Sequence, residues 1–189
     1  ALGFVFAFDK GVLTVALALS ALGAAAVATR LDIPALRYAV AAMGFVVLGR
    51  LAWEPRIIGA ALGTTPVFNW LLFGYGVPAL AFGLAARRMR QSGGEDLPVR
   101  VAQSLCILFA GLLAFFEIRH ALNGGDIYAD TSRLIEQGLF ATVSLLFSIV
   151  LTKLDMMRAS PVFRIASILA GVLSAGIAAA GLLLVVNPY

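Results

Sequence analysis

Charged residues are scarce in this chain. They make up 13% of its 189 residues, whereas a soluble domain is usually about a quarter charged. A surface that faces water cannot be built from so few charges, so the sequence excludes an ordinary soluble protein. The same scarcity makes each charged side chain inside an apolar stretch informative, because such a group needs a partner or water.

Cysteine and histidine are nearly missing as well, since Cys106 and His120 are the sole examples of each. One cysteine excludes an internal disulfide framework and a thiolate metal site. One histidine excludes a histidine-rich metal site, and zinc or iron held by carboxylates alone is a poor match for those metals. We therefore predict neither a metal ion nor another cofactor.

Apolar residues are abundant, at 61% of the chain, and they occur in consecutive runs. A bilayer crossing takes about 20 such residues, and a run that is apolar on all sides suits lipid. The sequence thus predicts an all-α polytopic transmembrane bundle, with one helical region over residues 1–189. The six predicted spans are Gly11–Ala28, Ala35–Trp53, Val67–Ala86, Val99–Ile118, Leu134–Thr152 and Val162–Val186.

The chain begins at Ala1 in an apolar stretch without a basic leader. Such a start is unlike a signal peptide and resembles the end of an earlier helix. We expect a fragment of a longer membrane protein, with the bilayer and further transmembrane helices of that protein as its partners.

The net charge of +4 comes from basic residues scattered through short connectors, which favours a role in membrane orientation over nucleic-acid binding. The connectors after spans one, three and five carry nine of the 14 lysines and arginines. By the positive-inside rule these three connectors are predicted to be cytoplasmic, in a multi-pass protein of the inner membrane.

The same three connectors share a pattern, in which a proline is followed within three residues by an arginine. The prolines are Pro34, Pro98 and Pro161, and they lie 64 and 63 residues apart. Proline is favourable in the first turn of a helix, so the pattern fits three ordinary helix starts. The near-constant spacing also fits three tandem two-helix hairpins.

Polar side chains within the predicted spans collect towards the external side. A charge at the centre of a membrane helix costs roughly 2.5 to 3.5 kcal/mol on insertion scales. The candidate ligand-binding residues are Arg50, Asn69, Tyr75, Glu117, Arg119, His120 and Glu136.

Two interpretations of these residues stay open. In one they form ion pairs at the interface, Arg50 with Glu54 or Glu117 and Arg133 with Glu136. In the other they line a polar pocket that is open to the outside.

Glu117 and His120 are three residues apart and therefore share a helix face, while Arg119 points elsewhere. A carboxylate beside an imidazole can relay protons or act as an acid/base pair. Arg50 or Arg119 would hold anionic groups. In the third span, Gly74 and Pro78 predict a kink or break, which either lines a cavity or is an ordinary proline kink.

Two motifs carry a resemblance: NWLLFGYGVP at residues 69–78 and EIRHALNG at residues 117–124. Through them the chain resembles a large bacterial family of predicted multi-pass membrane proteins of unknown function. The resemblance implies a segment of a bigger membrane protein. It implies no activity, and it assigns no catalytic residue.

These features favour a non-enzymatic membrane module that transports or binds a small polar or lipid-derived ligand. One alternative is a membrane-embedded transferase that acts on lipid-linked envelope precursors, with Glu117 and His120 as acid and base. The other is a helical scaffold for envelope proteins. The geometry of the site distinguishes these three functions. A transport module needs a cavity near the membrane midplane, an enzyme needs its catalytic pair exposed in a lipid-facing cleft, and a scaffold needs neither.

Overall fold

The fold is helical throughout the part of the chain that the computed structural model describes, which is residues 10–53, 65, 68–129 and 134–181. These residues form six α-helices and no strand, and the predicted all-α class is confirmed. The helices are α1 (Lys10–Leu31), α2 (Pro34–Trp53), α3 (Val77–Gly93), α4 (Leu97–Leu122), α5 (Leu134–Met157) and α6 (Pro161–Ala180).

Four helical segments are long and apolar enough to cross a bilayer, judged by length and composition among the described residues. They are residues Val12–Leu31 of α1 and the whole of α4, α5 and α6. Several apolar helices of this length support the predicted membrane bundle. Helix α3 has 17 residues, but it continues an earlier helical segment that begins at residue 70.

The chain divides into two compact units, here called unit 1 (Ala1–Leu113) and unit 2 (Ala114–Tyr189). In unit 1, α1 packs against α2 and α3. The contact face of α1 is made of fully buried small residues, including Ala18, Ala21 and Ala25. Small side chains let neighbouring backbones approach closely, which is how membrane helices gain packing energy without a hydrophobic effect between them. The prediction of a single helical region over the whole chain stays a prediction.

In unit 2, α5 and α6 pack along their length and are joined by hydrogen bonds between the helices. Ser148 Oγ donates to the carbonyl oxygen of Ser167 at 2.8 Å, and Ser174 Oγ donates to that of Ala141 at 2.7 Å. Gly171 of α6 lies against Ser148, where an added Cβ would meet the hydroxyl at 3.2 Å. This pair is therefore held by small and hydroxyl side chains, as is common between helices in lipid.

Three tight connectors join consecutive helices: residues 32–33 between α1 and α2, 94–96 between α3 and α4, and 158–160 between α5 and α6. Each is followed by one of the predicted prolines. Pro34 and Pro161 are the first residues of α2 and α6, and Pro98 is the second residue of α4. The predicted placement in the first helical turn is confirmed. Descent of the three pairs from a tandem repeat stays a prediction.

An ion pair fastens the α3–α4 connector to α2. Arg37 Nε lies 2.8 Å from Asp96 Oδ2, and Arg37 Nη1 donates to the carbonyl oxygen of Met89 and to Ser92 Oγ. Asp96 Oδ1 accepts the backbone N–H of Val99, so this carboxylate also caps α4. Partial burial raises the pKa of Asp96, but the hydrogen bonds from Arg37 and Val99 and the charge of Arg37 outweigh it, and the pKa lies below its ordinary value.

We expect the Asp96→Asn variant to be less stable than the unchanged protein at neutral pH by about 1 kcal/mol, since 32% of the Asp96 side chain is exposed to solvent. Asparagine still caps a helix, so the variant isolates the ion pair. A lowered folded-state pKa means that the ion pair contributes stability above the ordinary carboxyl range and loses it as the pH falls through the folded-state pKa. Thermal unfolding of both proteins against pH measures this.

In that titration the stability difference should be constant near neutral pH and should vanish only below about pH 4. A difference that does not change with acidity would contradict an electrostatic role for Asp96.

Candidate functional site

The segment that leads into α3 contains a π-helical turn at Leu72–Gly76. The backbone N–H of Val77 donates a hydrogen bond to the carbonyl oxygen of Leu72, five residues earlier. Since Pro78 has no N–H to offer, the wider turn carries the helix past the proline. The interruption predicted between Gly74 and Pro78 is therefore a π turn inside a continuous helical segment.

The site residues predicted in unit 1 lie around this segment and at the end of α2. Asn69 is buried, and its Oδ1 accepts the backbone N–H of Leu71 at 2.7 Å, so it caps the helical segment. The buried Tyr75 lies in the π turn, with its ring centroid 6.2 Å from that of Phe109. Arg50 lies half-buried in the last turn of α2. A ligand-binding role for Arg50, Asn69 and Tyr75 stays a prediction.

In unit 2 the end of α4 and the start of α5 bring two opposite charges together. Arg119 Nη1 lies 3.3 Å from Glu136 Oε1. Glu136 is 1% exposed, and its two carboxylate oxygens accept no hydrogen bond within the described part of the chain. Arg119 also donates from Nη2 to the carbonyl oxygen of Ala129. Here we call Arg119, whose side chain is 21% exposed, and the fully buried Glu136 the buried ion pair.

The turn after α4 places Arg119 beside the next helix. The N–H of Gly125 bonds to the carbonyl oxygen of His120 at 2.9 Å, and Gly124 has a φ of +62°. This is the Schellman ending of a helix, in which a left-handed residue reverses the chain and satisfies the last carbonyls. Glycine suits that left-handed position because it has no Cβ. The turn continues with Asp126, whose Oδ1 accepts the N–H of Tyr128.

Glu117 and His120 lie on α4 next to the buried ion pair in sequence. His120 is buried and Glu117 is half-buried, and their spacing of three residues puts them on one face of the helix. This end of α4 thus combines a carboxylate, a guanidinium and an imidazole within one helical turn. Such a set can hold an anion and transfer a proton.

The ion pair that the sequence predicted for Glu136 cannot be compared with the structure. The predicted partner, Arg133, lies outside the described residues, and so does Glu54, the predicted partner of Arg50. The ion pair with Arg119 was not predicted. The signal available was a basic residue in the last turn of one helix followed by an acidic residue in the first turn of the next.

Metal ligation has no support in the chain as described, since those residues contain no group of three His, Cys, Asp or Glu side chains that could hold an ion.

Comparison with known proteins gives one match. The model of a family described as "Predicted membrane protein (DUF2339)" matches residues 1–189. No curated protein and no solved structure matches the chain.

Proposed function

The chain belongs to the DUF2339 family of predicted membrane proteins, and from this premise we propose that unit 2 carries the ligand site of a non-enzymatic transport or binding module. The ligand is a small polar or lipid-derived anion. The observation that carries the proposal is the buried ion pair of Arg119 and Glu136, 3.3 Å apart at the junction of two apolar helices.

Stability alone is a weak reason for such a pair. Taking two charges out of water costs about as much as their attraction returns, and apolar residues of similar volume are often as stable or more so. An ionisable residue within a membrane helix is by default a candidate for ligand or proton binding. The carboxylate of Glu136, which accepts no hydrogen bond within the described residues, is therefore better explained by a role in binding.

Each residue of the site has a defined part. The planar guanidinium of Arg119 suits two oxygens of a carboxylate or phosphate. A ligand anion takes the place of Glu136 on the guanidinium of Arg119. Glu117 and His120, in the same turn of α4 as Arg119, supply a carboxylate and an imidazole that can accept or relay a proton.

The location of the site in the membrane is also a proposal. We propose that the connectors after α1, α3 and α5 face the cytoplasm of an inner-membrane protein, which leaves the end of α4 at the external side. Support comes from the basic residues next to these connectors, among them the exposed Arg88 and Arg158.

The test is a thermal-shift screen of the full chain in detergent against small carboxylates, phosphate esters and phospholipids. We expect at least one probe to raise the melting temperature of the unchanged protein. That shift should disappear in the double variant Arg119→Gln/Glu136→Gln, which removes both charges together and so leaves neither stranded. Probes that bind are then assayed for uptake into proteoliposomes.

The matched control is the exposed ion pair of the same unit, Arg164 with Asp155, at 3.4 Å. The double variant Asp155→Asn/Arg164→Gln should keep the whole thermal shift. A screen in which no probe binds, or in which binding survives the loss of the buried ion pair, rejects the proposed function.

A further inference from the structure

The outward face of α3 changes from apolar to basic along its length. Leu80 and Leu84 are exposed on this face, and Arg87, Arg88 and Gln91 follow them on the same side of the helix. In a bilayer the exposed leucines contact acyl chains. The arginines one turn further on then lie at the level of the lipid phosphates.

In the α3–α4 connector, the carboxylate of Glu95 forms ion pairs with two more arginines. Glu95 Oε2 lies 3.2 Å from Arg90 Nη2, and Glu95 Oε1 lies 3.6 Å from Arg100 Nε. Arg90 is three residues after Arg87, which puts both on one face of α3. We call Arg90 and Arg100, which pair with Glu95, together with Arg87 on the same face of α3 as Arg90, the arginine cluster.

Among the ion pairs between described residues, the arginine cluster is matched by one carboxylate, that of Glu95. The adjacent acidic residue, Asp96, is engaged by the largely buried Arg37 at 2.8 Å. Three guanidiniums against the one carboxylate of Glu95 leave two positive charges. The Arg100 side chain is also 50% exposed, so its guanidinium is accessible to a ligand.

We propose that the arginine cluster is a binding site for the phosphate of an anionic phospholipid. Guanidinium groups bind phosphate oxygens in pairs. The apolar face that leads to the cluster accommodates the acyl chains of the same lipid. Glu95 positions Arg90 and Arg100 in the absence of lipid and competes with the phosphate for them. The site is selective for anionic over zwitterionic lipids because a zwitterionic headgroup brings its own positive charge.

The proposal is tested by titrating the full chain in detergent with phosphatidylglycerol, with phosphatidylcholine and with inorganic phosphate, and counting bound molecules by native mass spectrometry. We expect phosphatidylglycerol to bind most tightly. Arg87→Gln and Arg100→Gln should each weaken it about fivefold, the effect of one basic residue near an anionic surface. Glu95→Gln should strengthen it, because the phosphate no longer has a competitor.

The control is Arg158→Gln, which removes an exposed arginine from the α5–α6 connector, outside the arginine cluster. It should leave phosphatidylglycerol binding unchanged. An equal loss in Arg158→Gln would show that diffuse charge alone attracts the lipid and would overturn the site. Displacement of phosphatidylglycerol by inorganic phosphate at equal concentration, or weaker binding in Glu95→Gln, would overturn it too.

Discussion

Replacement of Arg119 by methionine will lower the free energy of unfolding by about 3 kcal/mol, one of the largest effects expected of a single substitution in this chain. Methionine preserves much of the packing of the arginine stem but removes the charge that Glu136 faces at 3.3 Å. Removing one partner of a buried ion pair typically costs about 3 to 5 kcal/mol. We expect the lower end of that range because 21% of the Arg119 side chain is exposed to solvent.

Unfolding of the detergent-solubilised chain by denaturant measures the effect. The double variant Arg119→Met/Glu136→Leu should recover most of the loss, since it leaves no buried charge. Arg164→Met is the control, because Arg164 is 71% exposed in its pair with Asp155. It should cost less than about 1 kcal/mol. Equal instability of the single and double variants would show that Arg119 acts through packing.

Replacement of Phe109 by alanine will be comparably disruptive in unit 1. The ring of Phe109 is fully buried, with centroids 6.2 Å from those of both Tyr75 and Phe82. A buried phenylalanine cut to alanine costs about 3 to 5 kcal/mol in water-soluble proteins. Because lipid is as apolar as the protein interior, lost packing accounts for most of the cost here, and we expect about 3 kcal/mol.

The control for this prediction is Phe73→Ala. Phe73 lies in the same π turn as Tyr75, but it is 53% exposed, so its truncation should change the stability by only about 0.5 kcal/mol. Both variants are compared by unfolding in detergent. Similar losses for the two phenylalanines would contradict an aromatic core at the π turn.

Much of the helical architecture was readable from the sequence, because the requirements of a bilayer are simple. A span needs length and apolarity, and both are properties of the sequence alone. The predicted span Ala35–Trp53 differs from α2 by one residue, at Pro34. The prolines were equally informative, since a residue without an N–H is best tolerated in the first turn of a helix.

The pairing of the charged residues could not be read in the same way. The helical period correctly predicts that Glu117 and His120 share a face, because that depends on α4 alone. The partner of Glu136 depends on how the turn after α4 directs the chain, which involves the conformation of Gly124 and the bond from Gly125 to His120. The sequence offers only the general signal of a basic last turn followed by an acidic first turn, which does not say that the two side chains meet.

The π turn shows the same limit. The combination of Gly74 and Pro78 indicated an interrupted helix, and the missing N–H of Pro78 does require a change in hydrogen bonding. The sequence did not indicate which change. A kink, a break and a π turn each satisfy the same local requirement, and the structure has the π turn, which keeps the helical segment continuous.

The short connector between α5 and α6 has a consequence for biosynthesis. Residues 158–160 are the whole connection, and three residues extend over at most about 11 Å. The hydrocarbon core of a bilayer is about 30 Å thick, so the start of α6 is held at the membrane surface where α5 ends. We therefore expect the two helices to insert as one hairpin, so that a charge introduced into either impairs the insertion of both.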